Sequence, residues 1–485
     1  MIGWLFGVGH FTIGNNWIAI AFTFQAAMPA WLGWIAVVAL AAYLAVYPAL
    51  CAWGAWWIGQ RVNRKMASAT VPLILAFSGC WIITEWLRSW VFTGFAWNPL
   101  GVVALPTNLL ATYAEAVGSY GLSGLILIVV GWCLNVSQRF YRGEREPKFL
   151  MLAFTLLFLL GAVILTPWIR ANDELQASNG PKITIVQPNI SQADKYAPGY
   201  DALNFAKLAE HSRPLPDQGP RLLLWPEAAI PDYLESGYPY RYYQFQPGES
   251  AVGARLRLTT LMGEGDILLT GSNRLIFDKR GQLTAARNSM TAMDAQGRIL
   301  GDYDKAHLVP YGEYLPLKWL LTPLGLSRLV PGDIDFLPGP GAQTMTLNLD
   351  GKPIKIGMQI CYEIIFSGQV VDAENRPDFL FNPSNDAWFG RWGPPQHLAQ
   401  ARLRAIEEGL PVVRATPTGI SAVIDADGRI VESLGLDKAG RIDARLPVAK
   451  GPTLFSRYGN ILPVSFALLL IALASLPLAR ARTSR

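Results

Sequence analysis

The feature that most constrains this chain is a set of apolar stretches, each close to the roughly 20 residues that a bilayer-spanning helix needs. The stretches cover residues 3–24, 31–58, 71–92, 119–137, 149–168 and 461–478. Only 16% of the residues are charged, against about 25% in ordinary soluble proteins. We therefore predict a multi-pass membrane protein in which a polar region, about residues 172–455, separates the fifth span from the sixth.

The basic residues of the loops predict an orientation in the membrane. Arg61, Arg64 and Lys65 follow the second stretch, whereas the loop 93–118 contains no Lys or Arg. Further basic residues follow the fourth and sixth stretches: Arg139, Arg142, Arg145, Lys148, Arg480, Arg482 and Arg485. Because cytoplasmic loops are enriched in Lys and Arg, both termini are expected in the cytoplasm and the polar region on the opposite side. The net charge of +5 is thus a topology signal, and no nucleic-acid partner is expected.

The first stretch could instead be a signal peptide. It lacks a basic start and a small-residue cleavage site, so we expect it to remain as a span. The predicted organisation is therefore about five transmembrane helices in 1–170, a globular domain in 171–456, and a last helix with a short basic tail in 457–485.

The polar region has the pattern of a mixed α/β domain. Asp-Gly or Gln-Gly pairs at 296–297, 350–351 and 427–428 separate short strand-like runs and predict three β-hairpins. KITIVQPNI, RLLLW and ILLTGSN are further strand candidates, and DALNFAKLAEHS and QHLAQARLRAIEEG have helical periodicity. Strands mixed with helices predict a layered α/β sandwich.

Cys361 is the only cysteine of the polar region, and it follows the strand-like run IKIGMQI. The other three lie in apolar stretches, which argues against a disulfide framework. The four histidines are scattered without metal-ligand spacing, so neither a metal nor a cofactor is expected. A lone cysteine is most often a buried, inert thiol. To act as a nucleophile it needs a base and a group that stabilises the oxyanion.

Two charged residues at other strand ends could supply those groups. Glu227 directly follows LLLWP, where partial burial would raise its pKa and suit it to act as a general base. It could equally be a helix N-terminal carboxylate stabilised by the helix dipole. Lys305 follows a predicted hairpin and could be a plain exposed turn residue; Glu313, eight residues later, could orient it. The three strand ends could converge at one edge of a sheet.

The settings of these three residues resemble those of the nitrilase superfamily, in the same order along the chain. The carrying segments are WPE, YDKAHLVPYGEYLP and ICYE, and the resemblance extends over VQPNISQADKY, FNPSNDAWFG, PPQHLAQARLRAIE, RATPTGISAVIDADG, TLFSRYGN and FTGFAWNPLG. Taken together, the chain resembles the membrane-embedded branch of that superfamily, the apolipoprotein N-acyltransferase family. The resemblance implies a transmembrane helical bundle joined to an α-β-β-α sandwich domain.

The resemblance also implies roles for individual residues. Glu227 would be the general base, Lys305 would stabilise the oxyanion and Cys361 would be the acylated nucleophile. Supporting positions in the pocket would be Glu313, Tyr362, Glu363, Trp388, Asn385 and Tyr196. Tyr196 stands where the family commonly has Trp, which preserves an aromatic ring.

The implied reaction moves an acyl chain from a phospholipid, through a Cys361 thioester, to the α-amine of a diacylglyceryl-cysteine at an apolipoprotein N-terminus. The resemblance places such an enzyme in the bacterial inner membrane, with its catalytic domain on the periplasmic side. Nothing in the sequence demands an oligomer, so a monomer is expected. The family has roughly eight spans and this chain about six, so it is expected to start near the third family span. Two segments rich in apolar or tyrosine residues, 318–332 and 231–245, are predicted substrate arms, of which at least one dips into the membrane interface.

Two other functions remain open at this point. A membrane-tethered nitrilase or amidase that hydrolyses small amides would use the same three residues. A transporter would need charged groups within its spans, where Glu85 and Arg88 are the main ones and give no evident ion relay.

Overall fold

The computed structural model describes residues 1–24, 29–63, 70–143, 179–195, 197, 199–324, 328–329 and 334–483. The predicted fifth span, 149–168, and Tyr196 lie outside this part of the chain. The described α-helices are α1 (Ile2–Gly14), α2 (Ile18–Ala21), α3 (Leu32–Leu44), α4 (Val46–Asn63), α5 (Thr70–Arg88), α6 (Ala114–Tyr141), α7 (Gln192–Lys195), α8 (Asp201–Ser212), α9 (Ala251–Thr259), α10 (Lys318–Leu321), α11 (Gly393–Glu408), α12 (Leu454–Tyr458) and α13 (Ile461–Thr483).

Three helical stretches are long and apolar enough to cross a membrane, namely Leu32–Val62, Thr70–Arg88 and Ala111–Tyr141. They correspond to the second, third and fourth predicted spans. Shorter apolar helices are Ile2–Gly14 and Ile461–Leu476.

The first predicted span, residues 3–24, is interrupted in the structure. Helix α1 ends at Gly14, α2 begins only at Ile18, and a 3-10 helix follows over Phe22–Phe24. The residues at the break are Gly14, Asn15 and Asn16, all of which have low helix propensity.

The remainder of the described chain contains two six-stranded sheets. The strands are β1 (Lys182–Gln187), β2 (Leu222–Leu224), β3 (Ile267–Phe277), β4 (Leu283–Asp294), β5 (Ile299–Asp304), β6 (Thr344–Leu349), β7 (Lys352–Met358), β8 (Phe379–Pro383), β9 (Val412–Ala415), β10 (Ser421–Ile424), β11 (Ile430–Leu434) and β12 (Gly440–Arg445). The first sheet has the order β12-β1-β2-β3-β4-β5, and the second has the order β11-β10-β9-β8-β7-β6.

Each sheet is parallel in its centre and antiparallel towards its edges. In the first sheet β1, β2 and β3 are parallel, and in the second β7, β8 and β9 are parallel. The predicted hairpins are confirmed as the antiparallel pairs β4–β5, β6–β7 and β10–β11. The two predicted helices are confirmed as α8 and α11, and α11 ends at Gly409, whose φ of 64° is the left-handed C-cap conformation that glycine favours.

The two sheets face each other across one hydrophobic core, which contains Ile185, Leu269, Ile356 and Phe381 among others. Helices α8 and α9 cover the outer face of the first sheet, and α11 covers that of the second. This arrangement confirms the predicted α-β-β-α sandwich. Five of the six residues of β1 are buried, because the facing sheet and α8 cover both of its faces.

The outer side of α11 is also covered, by segments that connect the apolar helices. Trp17 and Trp97 belong to the same apolar cluster as Leu398 and Ala401 of α11. Leu403 and Ile406 of α11 pack with a second group drawn from residues 104–122. The sandwich and the apolar helices are therefore joined through a shared hydrophobic layer.

Candidate active site

Cys361 lies at the end of β7, at the start of a 3-10 helix over Cys361–Ile365. Its φ of 52° is in the left-handed region, a conformation that costs a non-glycine residue of the order of 1–3 kcal/mol. The residue is 5% exposed. A sharp turn directly after a central strand thus places the thiol beyond the end of that strand.

Glu227 follows β2 in a turn and is 6% exposed. Its Oε1 accepts hydrogen bonds from Asn288 Nδ2 at 2.7 Å and from Lys305 Nζ at 3.3 Å. Its Oε2 accepts one from the backbone N–H of Asn385 at 2.8 Å. Both carboxylate oxygens are therefore oriented by donors from separate elements, and Glu227 is not at a helix N-terminus.

Lys305 follows β5 and is 1% exposed, so it is not a solvent-exposed turn residue. Besides Glu227, its ammonium group contacts Glu313 at 3.1 Å. Glu313 Oε2 accepts a further bond from the N–H of Val309 at 2.8 Å. The predicted orienting contact between Glu313 and Lys305 is thus present in the structure.

The three candidate residues do not converge at one sheet edge, contrary to the sequence-based expectation. Glu227 and Lys305 follow strands of the first sheet, whereas Cys361 follows a strand of the second. The carboxyl ends of β2, β5 and β7 lie at the same end of the sandwich because the sheets stack face to face. The site is therefore built between two sheets.

Glu363 connects the two sides of the site. Its Oε1 accepts bonds from Tyr303 Oη at 2.9 Å, from Ala306 N at 2.7 Å and from His307 N at 3.1 Å, all in or after β5. Its Oε2 accepts from the N–H of Ile360, the residue before Cys361, at 2.6 Å. Burial raises the pKa of Glu363 to about 7, although these donors and the Lys305 charge act in the opposite direction.

The electrostatics favour a neutral thiol beside a carboxylate. Burial and the nearby Glu227 charge raise the pKa of Cys361 well above its usual range, and Lys305 only partly offsets them. Burial alone would raise the pKa of Glu227, but Lys305, Asn288 and Lys195 lower it below its ordinary value of 4.5. The expectation of a raised Glu227 pKa is therefore wrong. The two carboxylates likewise outweigh burial and raise the pKa of Lys305.

The other predicted site residues contact different parts of the structure. Tyr362 is buried, and its hydroxyl donates to the carbonyl of Gly94, between α5 and α6, at 3.2 Å. Asn385 contributes its backbone N–H to Glu227, while its side chain donates to Gln192 Oε1 at 2.9 Å. Trp388 packs edge-on against Phe24, with ring centroids 5.7 Å apart. It therefore contacts the N-terminal segment that follows α2.

Sequence analysis missed Asn288 and Lys195. Asn288 Nδ2 bridges Glu227 Oε1 and Glu313 Oε1, at 2.7 and 2.9 Å. Asn288 could have been found from the sequence, because it is a polar residue on the same face of β4 as the core residues Met290 and Ala292. Lys195 Nζ donates to the backbone carbonyl of Glu227 at 3.2 Å, and burial lowers its pKa to about 8.

Within the described ranges, no group of three or more His, Cys, Asp or Glu residues could hold a metal ion.

Comparison with known proteins gives two family matches. Residues 182–450 match the carbon-nitrogen hydrolase model, and residues 1–132 match the apolipoprotein N-acyltransferase N-terminal domain. An apolipoprotein N-acyltransferase of Rhodopseudomonas palustris is 35% identical over 98% of this chain and 86% of its own length. One of Brucella melitensis is 35% identical over 93% of this chain and 80% of its own length.

A solved structure of Saccharomyces cerevisiae Nit3, a member of branch 10 of the nitrilase superfamily, aligns with 56% of this chain and 93% of its own. The TM-score is 0.37 and the sequence identity 23%.

Proposed function

Because this chain belongs to the apolipoprotein N-acyltransferase family, we propose that it transfers a fatty acyl chain from a membrane phospholipid to the N-terminal amine of a diacylglyceryl-cysteine lipoprotein. This is the last step of lipoprotein maturation. The observation that carries the mechanism is the buried contact of Glu227 with Lys305 beside Cys361, in a chain whose apolar helices pack on the catalytic sandwich. The same features support an acyltransferase rather than a tethered amidase, because hydrolysis of small amides has no use for apolar helices.

In the first half-reaction, Cys361 Sγ attacks the carbonyl carbon of a phospholipid ester while Glu227 accepts the thiol proton. Lys305 stabilises the negative charge that develops on the carbonyl oxygen. The ester C–O bond then breaks, and the lysophospholipid leaves as an alcohol that takes its proton back from Glu227. The product is a thioester on Cys361. Because the pKa of the Cys361 thiol is raised, its proton moves to Glu227 as the new S–C bond forms and not before it.

In the second half-reaction, the α-amine of the lipoprotein attacks the thioester carbonyl. Glu227 takes a proton from the amine and passes it to the Cys361 sulfur as the C–S bond breaks, which gives an amide, the free thiol and an ionised Glu227. The reaction needs no cofactor, because both steps exchange one acyl group between nucleophiles.

We further infer that the protein is a monomer of the bacterial inner membrane, with the sandwich on the periplasmic face. The distribution of basic loop residues supports this orientation. Such a location lets both lipid substrates reach Cys361 without leaving the bilayer.

The proposed function is tested by the intact mass of the purified full chain. Incubation with phosphatidylethanolamine–phosphatidylglycerol vesicles should add the mass of one acyl group. Adding a synthetic diacylglyceryl-cysteinyl peptide should then remove that mass from the protein and add it to the peptide. Absence of the adduct, together with hydrolysis of soluble amides such as propionamide, would instead identify an amidase.

The predicted arm that begins at residue 318 offers a second test. Trp319 is 76% exposed and Leu320 44% exposed on α10, so two adjacent large apolar side chains are available to enter a membrane interface. Replacing both residues by Ser should raise the KM for vesicle phospholipid about tenfold, because insertion into the interface is weakened. The rate with a soluble short-chain phospholipid should not change.

Leu215→Ser provides the matched control for the arm variant. Leu215 is 51% exposed and lies before β2, at the opposite end of that strand from Glu227. Its substitution should leave both rates unchanged. Unaltered vesicle turnover in the Trp319→Ser, Leu320→Ser protein would contradict membrane contact by this segment.

A further inference from the structure

A hydrogen-bonded series of buried polar side chains, distinct from the Glu227–Lys305 contact, leads to the backbone of Cys361. It consists of Arg414 on β9, Asp386 after β8 and His397 in the first turns of α11. All three are at most 1% exposed. Burying three ionisable groups costs free energy unless each is paired with a partner. None of the three has a part in the two half-reactions described above.

This series of hydrogen bonds ends on the backbone carbonyl of Cys361. Arg414 Nη2 donates to Asp386 Oδ2 at 2.7 Å, and Asp386 Oδ1 lies 3.0 Å from His397 Nδ1. His397 Nε2 lies 3.1 Å from the carbonyl oxygen of Cys361. Because a carbonyl oxygen can only accept, Nε2 must carry a proton. That condition holds in both the neutral Nε2–H ring and the imidazolium. In the imidazolium, Nδ1–H donates to Asp386 Oδ1, whereas in the neutral ring Nδ1 is an acceptor that faces Arg414 Nη2 at 3.5 Å.

Arg414 also orients a second donor to the same carbonyl. Its Nη1 donates to Asn382 Oδ1, which turns the Asn382 amide so that Nδ2 lies 3.3 Å from the Cys361 oxygen. One guanidinium thus fixes both donors, one directly and one through Asp386 and His397.

The ring of His397 is further held by aromatic neighbours. Its centroid lies 5.2 Å from that of Trp97 and 5.7 Å from that of Phe389. Trp97 belongs to the segment between α5 and α6, so the apolar helical part also contributes to the position of this imidazole.

The carbonyl of Cys361 needs such support because the residue has a φ of 52°. A left-handed non-glycine residue relaxes towards other conformations unless its peptide groups are held. We propose that His397 is a positioning residue for acyl transfer. Its Nε2–H bond, oriented by Asp386 and Arg414, holds the backbone of Cys361 in the conformation that presents Sγ to Glu227 and the ester. The inference rests on the proposed role of Cys361 as the acylated nucleophile.

Two amide substitutions separate positioning from packing. The amide nitrogen of Gln reaches about as far as Nε2 of histidine, whereas that of Asn reaches only as far as Nδ1. His397→Gln can therefore still donate to the Cys361 carbonyl, and His397→Asn cannot. Both variants lose the buried ring, so the two should lose similar thermal stability.

The readout is the single-turnover rate of Cys361 acylation by phospholipid vesicles, followed by intact mass. We expect His397→Gln to stay within about tenfold of the wild-type rate and His397→Asn to fall about 100-fold, the size of loss that a misplaced reacting group causes. The KM for phospholipid should be similar in both. Equal acylation rates in the two variants would overturn the proposal.

Arg414→Lys provides a second route if the histidine variants do not fold. It keeps the buried positive charge but loses the planar group that serves Asp386 and Asn382 together. We expect slower acylation at unchanged KM, and a wild-type rate would count against the proposal.

Alkylation of Cys361 by iodoacetamide, measured by the mass of the modified peptide, reports whether the thiol is accessible and correctly placed without requiring acyl transfer. A wild-type protein that forms no acyl adduct would thus reject the proposed function, while the alkylation rates of the variants would still decide the role of His397.

Discussion

Cys361→Ala is expected to abolish the acyl-enzyme adduct and to lower acyl transfer by about 10⁴-fold or more, the scale of loss when a nucleophile is removed. In the proposed mechanism the Cys361 thiol forms the covalent bond, while Glu227 and Lys305 contact each other beside it. Because alanine removes only one atom from a side chain that is 5% exposed, the fold should be retained. Intact mass after exposure to phospholipid vesicles measures the adduct, and thermal unfolding checks the fold.

Two further variants make this experiment specific. Cys361→Ser keeps the size and the backbone strain but offers a hydroxyl, a poorer nucleophile than the thiolate, and should also form no adduct on the same time scale. Cys133 is exposed, on an apolar helix, and is the thiol most open to adventitious acylation. Cys133→Ala should therefore keep the adduct. Persistence of the acyl mass in Cys361→Ala would show that another residue is acylated.

Glu227→Gln is expected to slow acylation of Cys361 by about 10³-fold, within the range that a general base contributes. The glutamine cannot accept the thiol proton. It also places an NH₂ group among donors, since Asn288, Lys305 and the N–H of Asn385 all donate to the native carboxylate. The single-turnover acylation rate is the quantity to measure, because it excludes the second half-reaction.

Glu313→Gln is the matched control for this substitution. Each variant removes one of the two carboxylates that contact Lys305, but only Glu227→Gln removes the proposed base. We expect Glu313→Gln to cost about tenfold, the size of effect of a weakened charge-assisted bond. Equal losses would mean that Glu227 serves only to hold Lys305.

The lowered pKa of Glu227 also predicts the acidic side of the pH profile. A base whose pKa is depressed stays ionised until the pH falls below that pKa. Because Lys305 and Asn288 outweigh burial here, the acylation rate should not decline until the pH is below the ordinary value of 4.5. A rate that halves near pH 6 would argue that a different group accepts the proton.

Local patterns predicted much of the fold. Asp427-Gly428 sits between short runs of strand-forming residues, and such a pair determines its hairpin without help from distant residues. Strands β8, β9 and β12 were not predicted from the sequence. β9 even carries a fully buried Arg414, which breaks the apolar pattern of a central strand. The assignment of strands to two separate sheets depends on long-range pairing, which no local pattern encodes.

The candidate site shows the same difference between what local patterns reveal and what long-range contacts determine. Glu227, Lys305 and Cys361 could be singled out because each follows a predicted strand or hairpin. Their environment could not be derived in this way: the low pKa of Glu227 depends on Lys305, 78 positions away, and on Asn288. Likewise, the bond from His397 to Cys361 links α11 with the end of β7, and nothing in the spacing of these residues indicates it.

The shared layer over α11 has a consequence for handling this protein. Trp97 donates its indole N–H to Gln396 at 2.7 Å, and Ser119 and Arg404 meet across the same surface. A sandwich cut from its apolar helices would expose Leu403, Ile406 and these unpaired polar groups to water. A water-soluble version for crystallography or inhibitor screening therefore cannot be obtained by truncation alone and would require a redesigned outer face of α11.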